Sequence, residues 1–113
     1  MRVIKVEDLP ETLPPDHYDL VSRRIVQNDA NIKGLVVAWV RMEPSGRTSL
    51  HTHDHTEHLF IVMNGELGVK TGQGEFRVKP GEAAMISPGE LHGNFNASDG
   101  KTEYLVVNYT FTD

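Results

Sequence analysis

The chain has 113 residues, a length that corresponds to one domain with a single modest hydrophobic core. A composition with 38% hydrophobic and 24% charged residues is typical of a globular protein and excludes a mainly disordered one. The formal net charge of -5 argues against nucleic acid or an anionic membrane as a partner. There is no cysteine, so disulfides, thiolate metal sites and cysteine nucleophiles are excluded.

Residues 1–19 are predicted to form an extended N-terminal arm that precedes one β domain over residues 20–113. The prolines of the arm indicate extended chain, and His17 beside them is interpreted as a surface histidine. Charged residues interrupt the apolar ones near the N-terminus, and no apolar run reaches membrane-spanning length. These features predict a soluble cytoplasmic protein.

Beyond the arm, short apolar runs rich in Val, Ile, Tyr and Phe are separated by Gly, Pro and Asn. This pattern is typical of an all-β barrel or sandwich. Asn64-Gly65 lies between two such runs and predicts a two-residue hairpin, because both residue types tolerate positive φ. The strands are predicted at residues 3–6, 20–27, 35–42, 58–63, 67–71, 75–79, 83–86 and 102–111.

Five of the six histidines fall in two short segments, residues 51–58 and 88–92. Imidazole is the commonest protein ligand for borderline transition metals, so this density predicts a metal site. His51 and His53 are two residues apart, and in an extended segment this spacing places both rings on one face. His92 follows a Pro-Gly turn that brings a third imidazole in from a neighbouring strand.

Residues 46–65 and 81–96 resemble the two signature motifs of the cupin superfamily. The first motif contains His-x-His, a glutamate and a closing glycine, and the second contains Gly, Pro-x-Gly, His and Asn. The residues that match are His51, His53, Gly65, Gly81, Gly89, His92 and Asn96. The resemblance implies a single-domain, RmlC-like double-stranded β-helix, that is, a jelly-roll cupin barrel, with a metal ion inside its mouth.

Two residues compete for the position of the glutamate in the first motif. Counting forward from His53 gives Glu57, whereas counting back from Gly65 gives His58. We prefer the backward count, because the loop after His53 absorbs an insertion while the pleat fixes the facing of the strand that leads into Gly65. The predicted metal ligands are therefore His51, His53, His58 and His92. A three-histidine site with Glu57 is the alternative.

Neighbouring residues are expected to play lesser roles. His55 is expected to lie near the mouth without binding metal, and Asn96 to make structural hydrogen bonds. Glu90 is interpreted as a solvated turn carboxylate and Arg41 as an exposed strand arginine. The candidate apolar walls, for which ordinary core packing is the more common role, are Trp39, Phe60, Val62, Leu91 and Phe95.

The expected cofactor is a divalent transition metal, and Fe, Mn, Ni, Cu and Zn are all compatible with the resemblance and with all-nitrogen ligation. Four neutral imidazoles leave its charge uncompensated, so the site is expected to attract an anionic or enolisable oxygen ligand. The predicted function is a small-molecule metalloenzyme, either a dioxygenase or a metal-enolate isomerase or lyase. The alternatives are a non-catalytic module that binds or senses a small ligand, and a purely structural metal site.

The strands at residues 58–63 and 104–111 are apolar on both faces. Such strands need cover on each side, and in so small a barrel a second copy of the chain would cover the outer face. A homodimer is therefore predicted. The expected partners are this second copy and a small-molecule ligand or substrate, with no nucleic acid and no membrane.

Overall fold

Eight antiparallel strands form the fold of residues 1–27 and 33–111, which are the residues that the computed structural model describes. The strands are β1 (His17–Gln27), β2 (Leu35–Thr48), β3 (Thr56–Asn64), β4 (Leu67–Thr71), β5 (Gly74–Val78), β6 (Ala83–Ile86), β7 (His92–Asn96) and β8 (Thr102–Thr110). They follow one another in the order β5-β4-β7-β2-β8-β3-β6, with β1 paired to β2 outside this path. The sheet curls into a near-closed jelly-roll barrel, so the predicted all-β, single-domain fold is confirmed.

The predicted domain at residues 20–113 also covers residues 28–32 and 112–113, which lie outside the described part. Within the described part, no helical segment has the length and hydrophobicity needed to cross a membrane.

The observed strands differ from the predicted ones near the N-terminus, at the end of β2, which continues to Thr48, and in β7. The hairpin predicted at Asn64-Gly65 is wrong, because β3 pairs with β6 and β8 whereas β4 pairs with β5 and β7. The predicted strand at residues 3–6 is wrong, because Val6–Asp8 forms one turn of 3-10 helix and the apolar residues before it are exposed. β1 begins at His17, inside the predicted arm, where it pairs with the end of β2. The pattern does not predict β7, because His, Gly and Asn have low strand propensity. β7 forms because each of its five residues pairs with a residue of β4.

Strand alternation places one face of each strand inside the barrel. In β3, His58, Phe60 and Val62 are buried, whereas Leu59 and Ile61 between them are half-buried. Each large apolar side chain removed from water stabilises the fold by roughly 1.5–3 kcal/mol, so the inner row holds β3 in register. The core comprises Leu20, Val40, Met42, Phe60, Val62, Leu67, Val69, Val78, Ile86 and Tyr104.

The outer face of the sheet is also apolar where β3 meets β8. Leu59 pairs with Val107 and Ile61 pairs with Leu105, and all four side chains are half-buried. This is the pattern from which a second copy of the chain is expected. The homodimer stays a prediction.

Asn96 ties together β2, β7 and the start of β8. Its amide nitrogen donates to the carbonyl oxygens of Glu43 (2.9 Å) and Gly100 (2.7 Å). Its amide oxygen accepts from the hydroxyl of Thr102 (2.8 Å) and from the backbone N–H of Ser98 (2.8 Å). The structural role predicted for Asn96 is therefore confirmed.

Replacement of this side chain tests that role. Asn96→Ala removes hydrogen bonds from buried carbonyl and hydroxyl groups and is expected to lower the free energy of unfolding by about 1–3 kcal/mol. Gln73→Ala, in the exposed turn between β4 and β5, is the control and is expected to change it by no more than about 0.5 kcal/mol. Urea denaturation measures both values. Equal effects of the two substitutions would contradict the role given to Asn96.

Candidate metal centre

The four predicted ligands come from three parts of the chain that strand pairing brings together. His58 belongs to β3 and His92 begins β7, while His51 and His53 lie between β2 and β3. A two-way backbone bridge joins His51 to His92, with N–H to carbonyl distances of 2.9 and 3.0 Å. The two histidine segments, remote in the sequence, are thus neighbours in the fold.

The four imidazole rings surround a common centre. The ring centroids of His51–His53, His51–His92, His53–His58 and His58–His92 are 4.8, 4.4, 5.1 and 4.7 Å apart. The two remaining pairs, His51–His58 and His53–His92, are 6.5 and 6.3 Å apart. The shorter distances are the sides and the longer ones the diagonals of a nearly square arrangement.

Hydrogen bonds at Nδ1 fix three of these rings. The bonds are His51 to the carbonyl of Ser49 (2.6 Å), His58 to Oδ1 of Asn108 (2.7 Å) and His92 to the carbonyl of Glu90 (2.9 Å). An amide or backbone carbonyl oxygen can only accept, so Nδ1 carries the proton and Nε2 keeps its lone pair. This is the tautomer that binds a metal ion through Nε2.

His58 has a buried ring nitrogen without a hydrogen-bond partner. The residue is 6% exposed, and its Nε2 has no hydrogen-bond partner within residues 1–27 and 33–111. Burial lowers the pKa of His58 to about 4, opposed by the Asn108 hydrogen bond and reinforced by the imidazoles of His92, His53 and His51. Burial is also the main cause that lowers the pKa of His53 and of His92. These rings are therefore neutral at pH 7.

The pleat of β3 turns His58 inward and Glu57 outward. Glu57 is exposed, and its position on β3 pairs with Tyr109 of β8. His58 lines the cavity described below, whereas Glu57 does not. The side chains gathered around the common centre are thus imidazoles alone.

The four rings lie close together, but their nitrogen atoms do not converge on one point. No group of three or more His, Asp or Glu side chains in the described residues is set as a completed metal site. The rings are gathered and three of them are oriented, but their donor atoms are not in coordination positions. The arrangement, the Nδ1 hydrogen bonds and the free Nε2 of His58 are what favour a metal.

The imidazoles open into a cavity of about 190 Å³ inside the barrel. Its apolar walls are Val36, Ala38, Val40, Phe60 and Val106, and its polar groups besides the histidines include Ser22, Thr48, Asn94, Tyr104 and Asn108. Of the described residues that line it, none is Asp or Glu, although the whole chain carries a net charge of -5. Apart from the histidines, the charge of the lining therefore favours an anionic ligand.

Arg24 and His17 also line this cavity and were not expected there. Arg24 shares the inward face of β1 with Ser22, and strand parity is the signal that would have found it. Nδ1 of His17 donates to the carbonyl of Pro15 at 2.7 Å. Burial lowers the pKa of His17, the Pro15 hydrogen bond opposes this, and His51 adds to it. The interpretation of His17 as a surface histidine is wrong, because β1 begins at this residue and carries it to the cavity.

Most of the predicted apolar walls lie elsewhere. Phe60 lines the cavity, and Val62 belongs to the hydrophobic core. Trp39 faces outward, where its indole N–H donates to Oε2 of Glu103 at 2.9 Å. Leu91 is 42% exposed, and Phe95 lies on the face of β7 opposite to the buried asparagines. Trp39, Leu91 and Phe95 are not walls of the cavity, because Trp39 and Phe95 have the outward parity of their strands and Leu91 lies in the loop before β7.

The remaining candidates take no part in the centre. Arg41 is half-buried rather than exposed and lines a separate cavity of about 270 Å³ on the outer face, which contains no histidine among its described lining residues. His55 is exposed and contacts Phe111, with ring centroids 6.1 Å apart. The carboxylate of Glu90 accepts from the backbone N–H of Ser87 at 3.1 Å, as a turn carboxylate does.

Comparison with known proteins identifies the family to which the chain belongs. Residues 38–108, more than half of the chain, match the family model of the cupin domain. The chain belongs to the cupin family. No curated protein matches the sequence.

Solved structures resemble this cupin over nearly its whole length. A predicted oxalate decarboxylase from Thermotoga maritima superposes with a TM-score of 0.87 at 16% identity, covering 97% of this chain and 100% of that one. The polyketide cyclase RemF from Streptomyces resistomycificus gives 0.82 at 25% identity, covering 100% and 87%. A sugar phosphate isomerase of the cupin superfamily from Silicibacter pomeroyi gives 0.78 at 23% identity, covering 97% and 76%.

The matched cupin segment does not contain the whole cavity. Its residues include the four gathered histidines, Asn94, Tyr104 and Asn108, whereas His17, Ser22 and Arg24 on β1 precede it. The family pattern thus accounts for the imidazoles, and β1 adds groups to the cavity from outside that pattern.

The protonation state of the buried Tyr104 gives a test of the cavity. Burial raises the pKa of Tyr104 to about 12, opposed by the hydrogen bond with Asn94. Between pH 10 and 12 the folded protein keeps a proton that the unfolded chain releases, so stability falls as pH rises through this window. Tyr104→Phe removes this contribution, which amounts to about 1.4 kcal/mol by pH 11. Denaturant titrations of both proteins at pH 8 to 11 measure it, and parallel pH profiles would refute the burial of this hydroxyl.

Proposed function

We propose that this cupin is a metal-dependent enzyme that acts on a small anionic oxygen compound. The proposed metal ligands are His51, His53, His58 and His92. The observation that carries the proposal is the buried Nε2 of His58, which has no partner among the described residues and belongs to the ring of four imidazoles.

The chemistry of the four imidazoles fits a divalent transition metal. A buried nitrogen acceptor is stabilised by a proton or by a cation, and a pKa of about 4 means that His58 carries no second proton at pH 7. All-nitrogen ligation suits Fe, Mn, Ni, Cu or Zn. When bound, such an ion would polarise a ligated oxygen and acidify bound water.

The residues of the chain supply orientation and charge. The oxygen acceptors of Ser49, Glu90 and Asn108 hold three imidazoles in one tautomer and one direction. The apolar walls limit the entry of water and so strengthen electrostatic interactions inside the cavity. Arg24 at the mouth presents a guanidinium, whose fork of N–H donors matches a carboxylate.

Within this proposal, isomerase or lyase chemistry has more support than dioxygenation. The three structural relatives described above carry the names of a decarboxylase, a cyclase and an isomerase, and none of these names denotes an oxygenase. A non-catalytic binding module is the second candidate function. It is favoured by one observation, which is that the described residues of the cavity include no carboxylate or lysine to act as a general base.

The neighbouring residues His58 and Glu57 provide a matched pair of variants for metal binding. His58→Ala is expected to weaken binding of Zn²⁺ or Mn²⁺ at least about 100-fold, because it removes one of the four proposed ligands. Glu57→Ala is expected to bind as the unmodified protein does, because this carboxylate faces outward. Metal titration with elemental analysis measures both. A loss on Glu57→Ala with none on His58→Ala would establish the glutamate alternative.

The hydrogen bond to His58 can be tested separately. Asn108→Leu keeps the size of the side chain but removes the acceptor that orients His58 Nδ1. The expected result is a metal affinity about 10–100-fold lower. Asn64→Leu, at the exposed end of β3, is the control. An unchanged affinity in Asn108→Leu would show that this acceptor does not position the ring.

Catalysis is tested on the metal-loaded protein with a panel of small hydroxy and oxo carboxylates. We expect at least one compound to be converted without consumption of dioxygen. Proton NMR measures the conversion. His58→Ala is expected to lose this activity, and Glu57→Ala is expected to keep it. Conversion coupled to dioxygen uptake would establish the dioxygenase class instead. Ligand-induced thermal stabilisation without turnover across the panel would establish the binding module.

A further inference from the structure

The cavity contains a polar pair, Asn94 and Tyr104, that the proposed metal centre does not use. Both side chains line the cavity, and they are 4% and 2% exposed. They hydrogen-bond to each other. The Oδ1 atom of Asn94 is buried and has no partner among residues 1–27 and 33–111. Such an atom destabilises the folded chain unless something in the cavity pairs with it.

The pair presents both a hydrogen-bond donor and an acceptor to the cavity. The bond from the Asn94 amide stabilises the phenolate form of Tyr104, so the amide N–H donates and the phenol oxygen accepts. The phenol O–H and Asn94 Oδ1 are then both available. If the amide is turned over, the phenol donates to Oδ1, and an amide N–H and the phenol oxygen are available instead. Either arrangement leaves at least one donor and one acceptor, since the amide carries two N–H groups.

An alcohol hydroxyl is the group that complements this pair. It donates one hydrogen bond and accepts another, and it carries no charge to be desolvated. A carboxylate has no proton to donate to the amide oxygen. The pair therefore selects against the oxyanion of a ligand, whereas the imidazoles and Arg24 favour it.

The position of the pair limits the length of the ligand. Asn94 follows His92 by two residues on β7, so both side chains leave the same face and their Cα atoms are roughly 6.5 Å apart. A cavity of about 190 Å³ corresponds to the liquid volume of roughly six water molecules. These dimensions fit a linear compound of about three to five carbon atoms.

We propose that Asn94 and Tyr104 form a hydroxyl-binding subsite, and that the ligand is a short hydroxy acid with its oxyanion at the imidazoles and its alcohol group at this pair. The oxyanion end rests on the proposed function. The hydroxyl subsite is built from side chains that hold no metal.

The test compares ligands in which a terminal methyl replaces the hydroxyl. The pairs are 3-hydroxypropanoate with butanoate, 4-hydroxybutanoate with pentanoate, and 5-hydroxypentanoate with hexanoate. Calorimetry on the Zn²⁺-loaded protein is expected to show at least one pair in which the hydroxy acid binds about tenfold more tightly. The absence of such a preference in all three pairs overturns the proposal.

Two variants assign the preference to the subsite. Asn94→Leu and Tyr104→Phe each remove one partner of the hydroxyl and are expected to reduce the preference to about twofold or less, while zinc stoichiometry stays the same. Val107→Ala, on the outer face of β8, is the control and should keep the preference. Retention of the preference in both subsite variants, with folding verified by circular dichroism, overturns the proposal.

A measurement without metal separates this proposal from the proposed function. In the metal-free protein, the NMR signals of the Asn94 side-chain amide are expected to shift on addition of the preferred hydroxy acid and not of its methyl analogue. If the protein binds no metal but these signals shift, the metal centre is refuted and the subsite stands. If metal binds and the signals respond equally to both compounds, the subsite is refuted and the metal centre stands.

Discussion

The pleat of β3 is the constraint on which the centre depends. Its inner row, His58, Phe60 and Val62, is buried in the barrel and is paired on both sides, to β6 and to β8. A slip of one residue would expose this row and bring Glu57 into the cavity in place of His58. The burial of two large apolar side chains thus determines whether the donor set contains a carboxylate. The chemistry of the centre follows from the packing of the strand that carries it.

The charge of the cavity differs in sign from that of the whole molecule. The chain carries a net charge of -5, yet the described lining contains five histidines and Arg24 with no carboxylate. Burial keeps His58 neutral, so an anion would be attracted by the arginine and by a bound cation rather than by imidazolium groups. Acidic side chains on the outside would reduce non-specific attraction of anions elsewhere on the surface.

Two buried atoms in the cavity lack partners in the described part of the chain, Nε2 of His58 and Oδ1 of Asn94. Each destabilises the folded state, while Asn96 a short distance along β7 has its amide fully engaged. The contrast between Asn94 and Asn96 on one face of one strand distinguishes a group held for a ligand from a group that holds the fold. Unsatisfied polar groups of this kind are a property of binding sites more than of cores.

The sequence by itself determined the all-β class and the likeness to cupins, because periodicity and the histidine spacing are local properties. It did not determine the pairing of β3, which joins β6 and β8 rather than β4 across the turn at Asn64-Gly65. The facing of His58 also followed from the sequence, since His58 shares the parity of the apolar Phe60 and Val62. The alternation holds from Val62 backwards and is interrupted by a bulge between Val62 and Asn64. Only the tertiary structure decided that His17 and Arg24 reach the cavity, that Trp39 and Phe95 do not, and that residues 92–96 form a strand. These outcomes depend on which strands become neighbours, and pairing between distant segments overrides local propensity.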